Sequence, residues 1–307
     1  MSFPVSAVRL ARRPLRGVAV LGLVAVTAGC AAEDGDTRRP VARTRTAAEA
    51  APAPNAEARE LLLPFDAYKM SKADDYLVAA AEDVLMRDCL KAKGMDWTPR
   101  PPVKAAETDP PNRRRYGVIE DAVALRFGFH APPDPVAEVR FTSARERRAE
   151  SLSAGERRAA YGDDGTGGCW RQAHDRLLRG VPESDYDVLN RHAMRAFEES
   201  RRDPRVRAVF RRWSACMAKD GFRYADPPAV VNDPRWSASA APSAGEIETA
   251  RADVRCKEET DVVAVWRAAE TRIQRTKITA DPTGFEALKA TRQAHLAAAR
   301  RALHPAP

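Results

Sequence analysis

The sequence predicts an all-α protein: two related helical units, each stapled by one disulfide, after a signal peptide and a disordered tether. Three observations lead there. A motif occurs twice, as CLKAKGMDW at Cys89 to Trp97 and within WSACMAKDGFRY at Trp213 to Tyr224. Both copies read Cys, Leu or Met, three variable residues, Gly, Met or Phe, one variable residue and an aromatic. Each copy is followed by Ser-Ala-Gly-Glu, at Ser153 and Ser243, and then by a further cysteine, Cys169 and Cys256. The composition favours helix, with aromatics at only 7% and Ala and Arg abundant. At 307 residues the chain can bury a sizeable core, and the duplication favours two domains over one.

The N-terminus carries a basic region ending at Arg16 and then an apolar run, Val18 to Val26. That run is too short to span a bilayer, which takes about 20 residues, and suits a signal-peptide core. It closes on Thr27-Ala28-Gly29-Cys30, which resembles a bacterial lipobox. The resemblance implies cleavage before Cys30 and a lipidated thiol; ordinary secretory cleavage near Ala31 or Ala32 is the alternative. Residues 1–29 are therefore read as signal peptide. Residues 30–58, rich in Ala, Pro, Thr and charge, bury too little apolar surface to offset ordering entropy and are read as tether.

The first unit is assigned to 59–182, with an insertion at 98–142. Ser71 is an N-cap, and Leu77, Ala81, Val84, Leu85 and Ala92 recur at helical spacing until Gly94, a helix stop. Proline-rich sequence follows from Thr98, then an amphipathic stretch, Tyr116 to Phe129. Ser153 and Glu156 form a capping box opening a short helix through Tyr161. The Gly162–Gly168 loop matches neither a calcium loop nor a Walker loop, and Cys169 with His174 lacks the companion ligands of a zinc site. No metal or cofactor is expected.

The second unit is assigned to 183–307. A helix from Ser184 stops at Asp203-Pro204, and another opens at Pro204 with Val206, Val209, Phe210, Trp213 and Met217 on one stripe, ending at Gly221. Ser243 and Glu246 repeat the capping box and open one long helix, roughly Glu246 to Ile278. A last helix holds Phe285, Leu288, Arg292, His295, Leu296, Ala299 and Leu303.

With Cys30 lipidated, four cysteines remain, which allow three pairings. The duplication selects Cys89 with Cys169 and Cys216 with Cys256. Trp97, Trp170, Trp213 and Trp266 lie near cysteines and are read as packing around the bridges, whereas Trp236, in a proline-rich loop, is the candidate contact residue.

The formal charge of +8 includes four arginines before Cys30, leaving +4 on the remainder. Arg is mostly interleaved with acid, as in Arg145 to Glu150, which is a solvated helix face and argues against a nucleic-acid partner. WSACMAKDGFRY, ARADVRCKE at Ala250 to Glu258 and GCW at Gly168 to Trp170 resemble secreted or lipid-anchored proteins of uncharacterised function from high-GC Gram-positive bacteria. The resemblance covers Leu61 to Ile278 and implies an envelope location and paired cysteines, with no activity or catalytic residue attached.

Three functions are weighed. The first is a non-catalytic envelope lipoprotein, held by membrane lipid through acylated Cys30 and binding a cell-wall polymer or an envelope protein; the hydrolase motifs Gly-x-Ser-x-Gly, His-Glu-x-x-His and Ser-x-x-Lys with its partner motifs do not occur. The second is a wall-acting hydrolase using Glu120 and Asp121 with His130. The third is an anionic-polymer binder using Arg113-Arg114-Arg115 or Arg211-Arg212.

Overall fold

The computed structural model describes residues 51–304, all within one compact unit spanning Thr46–Pro307. The signal peptide, Cys30 and the tether as far as residue 50 lie outside the described residues. The described chain forms α1 (Ala56–Glu60), α2 (Lys72–Lys91), α3 (Asp121–Phe127), α4 (Val136–Ser151), α5 (Ala154–Tyr161), α6 (Gly168–Leu178), α7 (Tyr186–Arg201), α8 (Pro204–Lys219), α9 (Pro227–Val231), α10 (Ala244–Thr260), α11 (Val262–Ala280) and α12 (Pro282–Leu303). Three 3-10 turns complete it, with no strand among the described residues. The fold is all-α, as the sequence predicts.

The repeated motif is a helix stop of one kind. At the end of α2, Gly94 takes φ 73° and the Met95 N–H donates to the Leu90 carbonyl at 3.0 Å. At the end of α8, Gly221 takes φ 86° and the Phe222 N–H donates to the Met217 carbonyl, also at 3.0 Å. A second bond, Gly94 to Lys91 and Gly221 to Ala218, completes a Schellman cap in each. The motif's Leu or Met and its Met or Phe are thus the two residues that such a cap brings together across the turn. The cysteine just before them is fixed on the last turns of its helix.

That placement sets both bridges: Cys89–Cys169 and Cys216–Cys256, each with Cα atoms 5.7 Å apart. The pairing is the one the duplication selects. Cys256 lies in α10, the helix opened by Ser243. In the first copy the glycine loop divides the corresponding segment, so Cys169 begins α6 instead of lying in α5.

One apolar core surrounds each bridge. Around Cys216–Cys256 lie Val206, Phe210, Trp213, Met217 and Trp266, and around Cys89–Cys169 lie Leu85, Met86, Leu90, Trp97 and Leu177. A third group, Phe65, Leu189, Ala196, Phe285 and Leu288, joins α7 to α12.

Packing does not divide at residue 183. α12, from the end of the chain, packs on α2 and adds Ala299 and Leu303 to the first core, while α3, from the insertion, packs on α10 of the second. Each copy alone leaves an apolar helix face uncovered, and the other half of the chain covers it.

Three local expectations change. Order begins before the expected tether end at 58: Asn55 caps α1 by accepting from the Ala58 N–H, and Ala58 is fully buried. The expected single helix from Glu246 to Ile278 is two, because Asp261 adopts the left-handed conformation at φ 59°, which an aspartate tolerates better than most side chains. The break lets α10 pack on α3 and α8 while α11 turns to α7 and α8. Of the stretch Tyr116 to Phe129, only α3 is helical.

Candidate functional site

The densest chemistry lies where residues 109–130 cross the second core. Three adjacent arginines point three ways. Arg113 donates twice to Glu120, at 2.7 and 3.1 Å, and once to Asp109. Arg114 donates to the carbonyls of Phe129 and His130. Arg115 pairs with Glu270 and lies over the Phe197 ring. None of the three is exposed, so this run does not form a surface for an anionic polymer.

Beneath them the polar contacts continue inward. The Tyr116 hydroxyl donates to Glu270 at 3.0 Å, and the Gln274 amide donates to the same carboxylate while accepting from the Phe65 N–H. On α10, Lys257 donates to Asp253 at 2.7 Å and to the Val118 carbonyl at 2.9 Å, and the Trp213 indole donates to Asp253 at 3.0 Å. Asp253 and Lys257 are both buried. Burial pushes the Asp253 carboxyl upward, opposed by the Lys257 ammonium and the Trp213 N–H. A cavity of about 70 Å³ adjoins Lys257 and is lined by Glu57, Ile119 and Val254.

Glu246 departs from its first-copy counterpart. Glu156 returns to the Ser153 N–H and closes a capping box. Glu246 is buried and turns away from Ser243, accepting from the Phe129 N–H at 2.7 Å and from His130 Nδ1 at 2.8 Å. Gly128 makes this possible: a Cβ there would stand 2.5 Å from the Glu246 carboxylate. His130 Nε2 lies 3.0 Å from the Ser239 carbonyl, which only accepts, so Nε2 donates there while Nδ1 faces the Glu246 carboxylate. Its pKa is accordingly raised, by the Ser239 carbonyl first and Glu246 second.

Both ring nitrogens of His130 are thus engaged within the protein, one by Glu246 and one by the Ser239 carbonyl. The pairing of Glu120 and Asp121 with His130 does not form: Glu120 is held by Arg113 and the Asn55 N–H, and Asp121 is exposed and pairs with Arg251. A second Glu–His pair stands near the first-copy disulfide. His174 Nδ1 lies 2.8 Å from Glu82 and its ring stacks on Trp170. The Glu82 hydrogen bond raises the His174 pKa, whereas burial lowers that of neighbouring His295.

Trp236, the candidate contact residue, is partly buried. Its ring stacks on Phe129 at 5.4 Å, and its N–H donates to the Val230 carbonyl. Of the other tryptophans, Trp97 carries Arg148 over its ring, and Trp266 meets Tyr116, Phe197 and Phe210. A concavity of about 280 Å³ between α7 and α12 is lined by Val188, His192, Phe285 and Leu288 with Asp185 and Asp281, and those two aspartates cap the two helices.

Sequence reasoning missed Asp253, Lys257, Glu270 and Glu82. The first two sit at positions four apart on the buried side of a helix, a spacing equally common on solvated faces, so the sequence held no distinguishing signal. Glu246 was read only as a cap.

No group of three or more His, Cys, Asp or Glu among the described residues is placed to hold a metal ion. No helix of the described residues is long and apolar enough to cross a membrane. The two disulfides indicate an oxidising environment outside the cytoplasm. No protein-family model, curated protein or solved structure matches the chain.

Proposed function

We propose that this protein is a non-catalytic extracytoplasmic lipoprotein, held at the outer face of the cell membrane by acylated Cys30 and serving as a binding or structural module of the envelope. The observation that carries the reading is the pair of disulfides, each bracing one copy of a duplicated helix stop. The basic–apolar–small–Cys order at the N-terminus supports the anchor. Two acyl chains, at about 0.8 kcal/mol per buried methylene, hold such a domain on a membrane without a transmembrane helix.

The buried charged side chains support a structural reading of the interior. Arg113, Glu120, Asp253, Lys257 and Glu270 each have charged partners inside the protein, so none is an idle acid or base. The partner is then a wall polymer or another envelope protein, met at the surface.

Intact-mass analysis of the membrane-fraction protein tests the anchor: a chain starting at Cys30 with a diacylglyceryl mass is expected, and an unlipidated mass refutes it. Pelleting of the oxidised domain with purified cell wall, with bound protein and released fragments measured together, tests the activity. Binding without release is expected; released fragments would establish a hydrolase in its place.

A further inference from the structure

We propose that the solvent face of α8 is a docking surface for anionic phospholipid headgroups. At 100° per residue, Val206, Val209, Phe210, Trp213, Cys216 and Met217 fall within an arc of about 120° and are all buried. The opposite side carries Arg205, Arg207, Arg211, Arg212 and Lys219, all exposed, interspersed with Ala208, Ser214, Ala215 and Ala218. No acidic residue lies between Pro204 and Lys219. The acids at its two ends are engaged elsewhere, Asp203 with Arg272 and Asp220 with Arg255. Among the described residues, none of the five cations forms an ion pair, and Arg212 donates only to the Thr260 carbonyl.

A helix face that serves solubility alone mixes signs. α4 does so, with exposed Arg145 and Arg147 alternating with Glu146 and Glu150. The α8 face is about 24 Å long and of one sign, which suits a plane of negative headgroups. It is also the arginine run that remains available, since Arg113 to Arg115 are engaged internally.

The choice of a membrane rests on the proposed anchor at Cys30. Twenty-five residues separate Cys30 from α1, a reach of at most about 90 Å, so the membrane is the extended polyanion always within range. Tethering raises the effective concentration, so weak docking suffices. Each basic side chain near such a surface contributes about fivefold in affinity.

The test uses the oxidised compact unit Thr46–Pro307, which lacks Cys30, so docking is read without the anchor. It is pelleted with phosphatidylcholine vesicles with and without phosphatidylglycerol, at low and high salt. Binding is expected only with phosphatidylglycerol, falling at least tenfold at high salt. The variant Arg205→Gln, Arg207→Gln, Arg211→Gln, Arg212→Gln is expected to lose at least a hundredfold. A variant of equal charge change, Arg140→Gln, Arg145→Gln, Arg147→Gln, Arg176→Gln, is expected to bind like the parent. Circular dichroism and disulfide mapping confirm that both variants fold. Absence of phosphatidylglycerol-dependent binding, or equal loss in both variants, overturns the proposal. Binding to soluble poly(glycerol phosphate) without binding to vesicles overturns it too. The mass of Cys30 reports separately on the anchor, so failure of either reading is distinguishable from failure of the other.

Discussion

Lys257 and Asp253 show at the scale of single residues what a buried charge demands. Their pair is enclosed beside Trp213, and the Lys257 ammonium also bonds the Val118 carbonyl, tying the inserted segment to α10. Lys257→Ala leaves a buried carboxylate unpaired and is expected to cost about 3–5 kcal/mol in urea unfolding. Replacing both, Lys257→Met with Asp253→Leu, is expected to cost less than Lys257→Ala, because no charge remains to be solvated. His130 makes a complementary prediction with pH. Its folded pKa is raised, so its contribution is complete below the unfolded value near 6.5 and is lost as pH rises through the folded value. Glu246 and the Ser239 carbonyl face the ring favourably, with Arg114 opposing. His295, whose pKa is lowered, pulls the other way. The quantity to measure is therefore the difference in unfolding midpoint between the parent and His130→Gln, expected to shrink from pH 6 to pH 8.5.

Among the elements, the two capped helices α2 and α8 are the parts that repeat. Both end in the same pair of hydrogen bonds about a left-handed glycine, and both hold a bridging cysteine just upstream. The bridges close sequence separations of 80 and 40 residues. In the chain-entropy treatment these stabilise by about 4.5 and about 4 kcal/mol, an upper figure. Cys89→Ala with Cys169→Ala is expected to be slightly more destabilising than Cys216→Ala with Cys256→Ala, measured as unfolding free energies under oxidising conditions. A reversed order would mean that α12, by packing on α2, already restricts the unbridged first core. The elements that differ between copies, α3 and the glycine loop before α6, are where the second copy's pattern gave no guide.

In the whole molecule, the two copies share their covering helices. α12 packs on α2 and α3 packs on α10, so neither half buries its apolar faces alone. Expression of residues 183–307 without the rest is expected to give protein lacking the cooperative unfolding transition of Thr46–Pro307, because Val118, Ile119, Val123 and Phe129 would be missing from its core. A cooperative transition in that fragment would restore the two sequential units as independent domains.

The sequence by itself determined the all-α class, the helix stops at Gly94 and Gly221, the N-cap at Ser71, the helix start at Pro204 and both disulfides. These rest on local rules: periodicity, capping and proline act within a few residues, and duplication compares one local pattern with another. Only the tertiary structure decided that Glu246 leaves its cap for His130 and that Arg113 to Arg115 turn inward. It also decided the break at Asp261 and the order before residue 58. Glu246, Arg115 and Asn55 depend on partners more than fifty residues away, Arg113 and Arg114 on how the loop from Asp109 to His130 closes on itself, and the break at Asp261 on which neighbour each helix must face. A polar side chain gives no sign in sequence of whether water or a distant carboxylate will receive it.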